Sequence, residues 1–216
     1  LHIDGNFGYG QPIAKYSLDI AIKKTKEKGH CILAMKNLGH IGRVGAWSEL
    51  AATNDCVSIM FVNTSGFGIL MAPHGGTDRR LSANPIAIGI PMENNDYLVL
   101  DMATSVVAEG KIQVAKNKKI KLADGLILDG HGNPTNDPEV FYSTVGSILP
   151  FGGHKGFGLA FMIDILSGTL TGGNSSHPDN SNSHAVINNT FAIIIDTTKT
   201  VSESYFQNDV KRLISW

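Results

Sequence analysis

The sequence predicts an α/β chain, a layered α/β/α domain on a mixed sheet that lacks the Rossmann strand order. Three observations predict it. Short apolar runs at residues 31–35, 57–62 and 192–196 alternate with longer amphipathic stretches, as strands alternate with helices. Residues 85–90 and 97–100 read as neighbouring strands joined by the turn Glu93-Asn94-Asn95-Asp96, so part of the sheet is antiparallel. No G-x-G-x-x-G occurs, and the richest glycine stretch lies late in the chain.

Taken in order, residues 4–11 read as turn material because Gly5, Gly8 and Gly10 crowd it. Pro12 then sits where a helix can start, Ala14, Leu18, Ala21 and Ile22 form an apolar stripe, and Gly29 supplies the stop. The strand 31–35 leads to the loop Asn37-Leu38-Gly39-His40-Ile41-Gly42-Arg43. A helix follows with Val44, Trp47, Leu50 and Ala51 on one face, and a strand at 57–62 runs into Asn63-Thr64-Ser65-Gly66. This order suggests a β-α-β unit, in which ligands collect at loops after the strands, where His40, Arg43 and Thr64 fall. Residues 72–80 form a polar loop with His74, Thr77 and Arg79. Asp101-Met102-Ala103-Thr104-Ser105 ends a strand and offers capping groups to a helix near residues 106–115. Residues 130–138 are turn-rich, 172–184 form a Ser/Asn-rich exposed loop, and 202–214 form a terminal amphipathic helix.

The glycine-rich stretch is Leu149-Pro150-Phe151-Gly152-Gly153-His154-Lys155-Gly156-Phe157-Gly158, ahead of an apolar helical segment. A lysine at a helix start opposes the helix dipole unless an anion is bound there. The stretch therefore reads either as an anion cradle made by Gly153, Lys155 and Gly156, or as a turn with its lysine in water. It is not a P-loop, since the spacer and the Ser/Thr after lysine are missing.

Composition narrows the classes. The chain has 216 residues, 42% of them hydrophobic and 17% charged, and a net charge of −1, so it has no basic stripe with which to displace counterions from nucleic acid. No run is long enough for a membrane span and no signal peptide is apparent. Cys31 and Cys56 lie in apolar runs, which suits small core residues in a reducing, cytoplasmic compartment rather than a disulfide or zinc framework. No metal-ligand spacing occurs within one element. The first residue is Leu, so the chain, a single domain over 1–216, is expected to be a fragment.

His40 is the leading acid-base candidate, because it lies in a glycine-flanked loop after a strand and imidazole titrates near neutrality. The alternative is a structural histidine. Asp101 could accept from ribose hydroxyls or cap the following helix.

Six ordered motifs carry a resemblance. They are residues 37–45, Pro73-His74-Gly75-Gly76, Ala83-Asn84-Pro85, residues 101–105 with Gly110-Lys111, Asp129-Gly130 with Pro134-Thr135-Asn136-Asp137-Pro138, and residues 149–158. Together the chain resembles the malate/L-lactate dehydrogenase family of non-Rossmann NAD(P)-dependent oxidoreductases. The resemblance implies hydride transfer between NAD or NADP and a small 2-hydroxy acid or 2-oxo acid, in a homodimer. It implies that His40 is catalytic and that His40, Gly42, Arg43, Thr64, Asp101, Met102, Ala103, Gly153, Lys155 and Gly156 contact the cofactor. Thr77 and Arg79 are expected to bind substrate, with Arg43 the alternative carboxylate anchor. Two departures stand out: the family's T-N-P reads Ala83-Asn84-Pro85, and the family's Ser-His-Gly segment, with a second catalytic histidine and an arginine, would lie upstream of Leu1. The family's cofactor-closing loop would likewise lie beyond Trp216, so the resemblance implies truncation at both ends. Two other readings remain, a dinucleotide-binding fragment without turnover and a phosphate-binding transferase.

Overall fold

The computed structural model describes residues 1–180 and 185–216; the end of the predicted Ser/Asn-rich loop, with His184, lies outside them. Its main sheet has six strands. In chain order they are β1 (His2–Asp4), β2 (His30–Leu38), β3 (Cys56–Gly66), β4 (Ile86–Pro91), β5 (Tyr97–Met102) and β9 (Val186–Asp196), and across the sheet they run β1-β2-β9-β3-β4-β5. Only β1 and β2 are parallel neighbours; every other pair is antiparallel. The sheet is mixed, as expected.

The predicted β-α-β unit exists but is split. β2 and β3 point the same way, yet β9 is inserted between them and is antiparallel to both. The apolar run at 192–196 is only the second half of that strand. Its first half, Asn188-Asn189-Thr190, is polar and hides the period that marks a strand. β1 falls partly in the segment read as turn, because three residues are too few to show alternation.

α1 (Gly10–Lys28) carries the predicted stripe and ends at Gly29, whose φ of 89° is a left-handed cap. With α2 (Gly45–Ala52) it packs on one sheet face. There Leu18 and Ala21 meet Leu33, Met35, Met60, Val62, Ala192 and Ile194 in the largest core cluster. α2 lies close on β4 because Gly89 has no side chain: a Cβ there would come within 2.4 Å of the Ser48 carbonyl oxygen.

α5 (His154–Asp164), continued by a π-helical turn over Ile165–Thr169, packs on the opposite face near the C-terminal end of β3. It is held there by polar groups. The buried Asp164 carboxylate accepts from Asn63 Nδ2 (2.9 Å), the Ser176 backbone N–H (3.0 Å) and Ser176 Oγ (3.1 Å). Farther along the same face, Ile32, Ile193, Ile59, Ile88 and Leu100 stand in one row across five strands. Ile32 and Leu100, the row's ends, are 51% and 46% exposed.

A smaller lobe was not legible as such. Residues 106–150 contain α3 (Glu109–Lys118), α4 (Pro138–Ser143) and a three-stranded sheet of β6 (Ile127–Leu128), β7 (Pro134–Thr135) and β8 (Ser147–Ile148), ordered β7-β6-β8. Val107, Ile112, Ile127, Phe141 and Ile148 form its core. Two-residue strands carry no periodicity; the segment read as turn-rich does turn at residues 130–132, and only Pro134-Thr135 within it pair as a strand. Asp137 caps α4 by accepting from the Glu139 N–H, with Pro138 at the first helical position. α6 (Glu203–Ser215) starts on Ser202 as predicted, while Leu213 and Ile214 face outward.

Candidate active site

The C-terminal ends of β2 and β3 and the start of β9 meet at one end of the central strands, and a cavity of about 420 Å³ opens beside them. Its wall is mostly apolar, with Val62, Leu70, Met71 and Ile148 among the lining residues. Of the residues singled out in the sequence, His40, Gly42, Thr64 and Arg79 line it.

His40 and Thr64 are joined through a residue the sequence reading missed, Asn188 on β9. Asn188 Oδ1 lies 3.1 Å from His40 Nδ1 and accepts from the Ile41 N–H at 3.1 Å. Its amide nitrogen donates to the Asn63 carbonyl (3.2 Å) and to Thr64 Oγ1 (3.1 Å). The signal that could have found it was two asparagines at the head of an apolar strand, where a side chain without a partner would be costly.

A second polar group in the cavity comes from the small lobe. Tyr142 donates to Glu109 Oε1 at 2.5 Å, and both line the cavity with Arg79. Burial, then the Glu109 hydrogen bond and charge, push the Tyr142 phenol far above its ordinary range, so it stays protonated. Burial pulls the Arg79 guanidinium below its usual range, against the opposing pull of Tyr142 and Glu109. Arg79 Nε donates to the Gly146 carbonyl at 2.7 Å, and the guanidinium carbon lies 5.2 Å from the Phe141 ring centre. Its two terminal nitrogens have no hydrogen bond among the described residues, so they form a two-pronged donor held from behind.

The remaining candidates lie outside this cavity. Arg43 is exposed and holds Glu49 with two bonds of 2.8 Å. The hydrogen bond from Arg43 keeps the Glu49 carboxyl below its ordinary range. Asp101 does cap a helix, but not the following one: its Oδ2 accepts from the Gly45 N–H at 3.0 Å, at the start of α2. The helix after it begins eight residues on with Ala108 as its cap, out of reach of Asp101. Gly45 is required there, since a Cβ would stand 2.7 Å from that carboxylate oxygen. Met102 and Ala103 are partly exposed and do not line the cavity, and Thr77 is exposed against the turn at Gly132.

The glycine-rich turn differs from the expected cradle. The N–H groups of Gly153, Lys155 and Gly156 already donate to Pro150, Gly152 and Phe151 carbonyls, at 3.3, 3.3 and 3.0 Å. The turn closes on itself because Gly156 lets the chain fold over Phe151; a Cβ would come within 2.2 Å of that carbonyl oxygen. What it offers an anion is the exposed Lys155 ammonium, beside a His74–His154 edge-to-face pair with centroids 5.8 Å apart.

A mixed α/β/α sheet gathers a histidine, a hydroxyl and an arginine around one apolar cavity at the ends of its central strands, the concave kind of site that takes a small molecule. The sequence matches the malate/L-lactate dehydrogenase family over residues 1–216, and the chain belongs to that family. It is 34% identical over 215 residues to an L-lactate dehydrogenase of Cupriavidus necator, covering 99% of this chain and 62% of that one. With an L-sulfolactate dehydrogenase of Methanocaldococcus jannaschii it shares 45% identity over 166 residues, 76% of this chain and 46% of that one. The solved structure of a putative malate/lactate dehydrogenase from E. coli superposes with a TM-score of 0.93 at 35% identity, covering 99% of this chain and 60% of that one. The chain therefore spans about half to three fifths of the length of these relatives.

Proposed function

We propose that this protein takes part in the interconversion of a small 2-hydroxy acid and its 2-oxo acid with NAD or NADP. The observation that carries the reading is one apolar cavity holding both a titratable ring, His40, and a cationic fork, Arg79. Family membership supports the same chemistry.

The fit to a nicotinamide cofactor is partial. The cavity is the size of a ring and a small acid, not of a whole dinucleotide. His40, Gly42 and Thr64 would hold the ring end. Lys155 would meet a phosphate outside the cavity, with Gly153 and Gly156 shaping its turn, and Arg43, Asp101, Met102 and Ala103 would lie along the route. When bound, the cofactor supplies or accepts the hydride at the substrate's C2. The chain does the rest. His40 exchanges the hydroxyl proton, Arg79 turns the carboxylate by two charge-assisted bonds while Thr77 sits on the loop that carries it, and the apolar wall excludes water.

The row from Ile32 to Leu100, exposed at both ends and partly buried between them, supports a homodimer, since an apolar strip on a sheet face favours burial against a second copy. Two buried free thiols suit a cytoplasmic setting. Among the described residues no helix is long and apolar enough to cross a membrane.

A spectrophotometric screen of NADH and NADPH oxidation against a panel of 2-oxo acids tests the reading. Turnover of at least one 2-oxo acid supports it. A second reading is a dinucleotide-binding unit without turnover. NADH binding with no oxidation of any panel member selects that one, and neither binding nor oxidation rejects both.

A further inference from the structure

We infer that Asn188 is a positioning residue that fixes the tautomer of His40 and the direction of the Thr64 hydroxyl. The inference rests on the reading of His40 as the acid-base group, but its central test does not need turnover.

The orientation of the Asn188 amide is set by the backbone. Its Oδ1 faces the Ile41 N–H at 3.1 Å and its Nδ2 faces the Asn63 carbonyl at 3.2 Å. Flipping the amide would set a donor against a donor and an acceptor against an acceptor, inside a side chain only 4% exposed. The atom 3.1 Å from His40 Nδ1 is therefore an acceptor, and Nδ1 must carry the proton.

In neutral His40 this leaves Nε2 with the lone pair. Free imidazole side chains favour the other tautomer, so the protein opposes the intrinsic preference. Oxidation of a 2-hydroxy acid then has one proton route: the hydroxyl proton goes to Nε2, and Nδ1 keeps its own. In reduction Nε2 returns that proton to the carbonyl oxygen. Asn188 Oδ1 accepts from Nδ1 in both states and stabilises the imidazolium as it forms.

The same amide acts on Thr64. Asn188 Nδ2 donates to Thr64 Oγ1, so that oxygen is used as an acceptor. The hydroxyl proton has no acceptor among the described residues, and Thr64 lines the cavity. Thr64 is thereby set as a donor toward a carbonyl or amide oxygen entering there. One buried asparagine at the head of β9 couples the ends of β2 and β3.

The test is a long-range proton–nitrogen correlation spectrum of the histidine rings in the unaltered protein. It is recorded near about pH 8.5, above the ordinary imidazole range, with His40 assigned by its loss in His40→Gln. A pyridine-like Nε2 and a protonated Nδ1 are expected. A predominant Nε2–H form would overturn the inference, whatever the enzyme does. Asn188→Leu, of similar size, should return His40 toward the free-imidazole mixture. In a protein that turns over, it should lower kcat by about tenfold or more, within the range a positioned acid-base group contributes, with a smaller change in KM. An Asn188→Leu protein that folds and keeps both the Nδ1–H tautomer and kcat would also overturn it. A protein with the expected tautomer and no turnover would remove the proposed reaction and leave this inference standing.

Discussion

Replacing Arg79 by Gln should abolish most of the preference for a free carboxylate. Nε is committed to the Gly146 carbonyl at 2.7 Å, so the two terminal nitrogens are the part available to substrate. Each charge-assisted hydrogen bond contributes about 1.5–3 kcal/mol net, and about 1.4 kcal/mol is a factor of ten. Losing one such bond should lower kcat/KM for a 2-oxo acid about 10- to 150-fold, and losing both should lower it further. Arg79→Lys keeps the charge but not the fork or the bond to Gly146, so it should recover only part. The assay compares kcat/KM for a 2-oxo acid and its methyl ester, well below the melting temperature. Arg79 also lies over Phe141, so some stability is lost too, about 2–4 °C per kcal/mol for a chain of this size. The acid should be preferred strongly by the unaltered protein and hardly at all by Arg79→Gln. Equal discrimination in both proteins would refute the assignment.

Lys155→Ala should weaken NADH binding about tenfold or more, from about 1.5–3 kcal/mol of phosphate contact, and leave the melting temperature unchanged or slightly raised, since a lysine at a helix start opposes the dipole. Unchanged affinity in a fluorescence titration would count against any anion at that turn. Asp164→Ala strands the Ser176 N–H and part of the Asn63 amide, so it should cost about 1–3 kcal/mol for each stranded donor, read as a lower urea midpoint; a shift within error would mean the network is not needed. Burial pushes the Cys56 thiol up to about 11, so native protein should resist alkylation at pH 8 and react once unfolded. A raised acid favours folding below its unfolded value of about 8.5 and loses that contribution as pH rises toward 11, so Cys56→Ala should flatten the alkaline fall in stability. Rapid labelling of native Cys56 would contradict this.

How much was legible follows from the length of each signal. α1 showed its stripe, its proline start and its glycine stop, and it formed with only small boundary shifts. β2, β3, β4 and β5 showed apolar runs of sufficient length, and the tight turn between β4 and β5 fixed their pairing. The place of β9 between β2 and β3 was not legible, because strand order is decided by tertiary packing and the chain reaches β9 from far away. His40, Thr64 and Arg79 stood out as polar residues in loops after strands or beside glycines. Asn188, Glu109 and Tyr142 did not, since each is ordinary in its own segment and acquires a role only from a partner distant in sequence. Asp101 shows the same limit from the other side. Its capping chemistry was read from its type, but the helix it caps lies 56 residues earlier.

The central claim is that His40 carries the proton in the cavity it shares with Thr64 and Arg79. The most direct measurement is kcat/KM of His40→Gln for the best 2-oxo acid of the panel, with the NADH dissociation constant measured beside it. A loss of about 10²- to 10⁴-fold in kcat/KM, well beyond any loss of NADH affinity, is the predicted result. Activity within about threefold of the unaltered protein would contradict it and send the search for the acid-base group elsewhere.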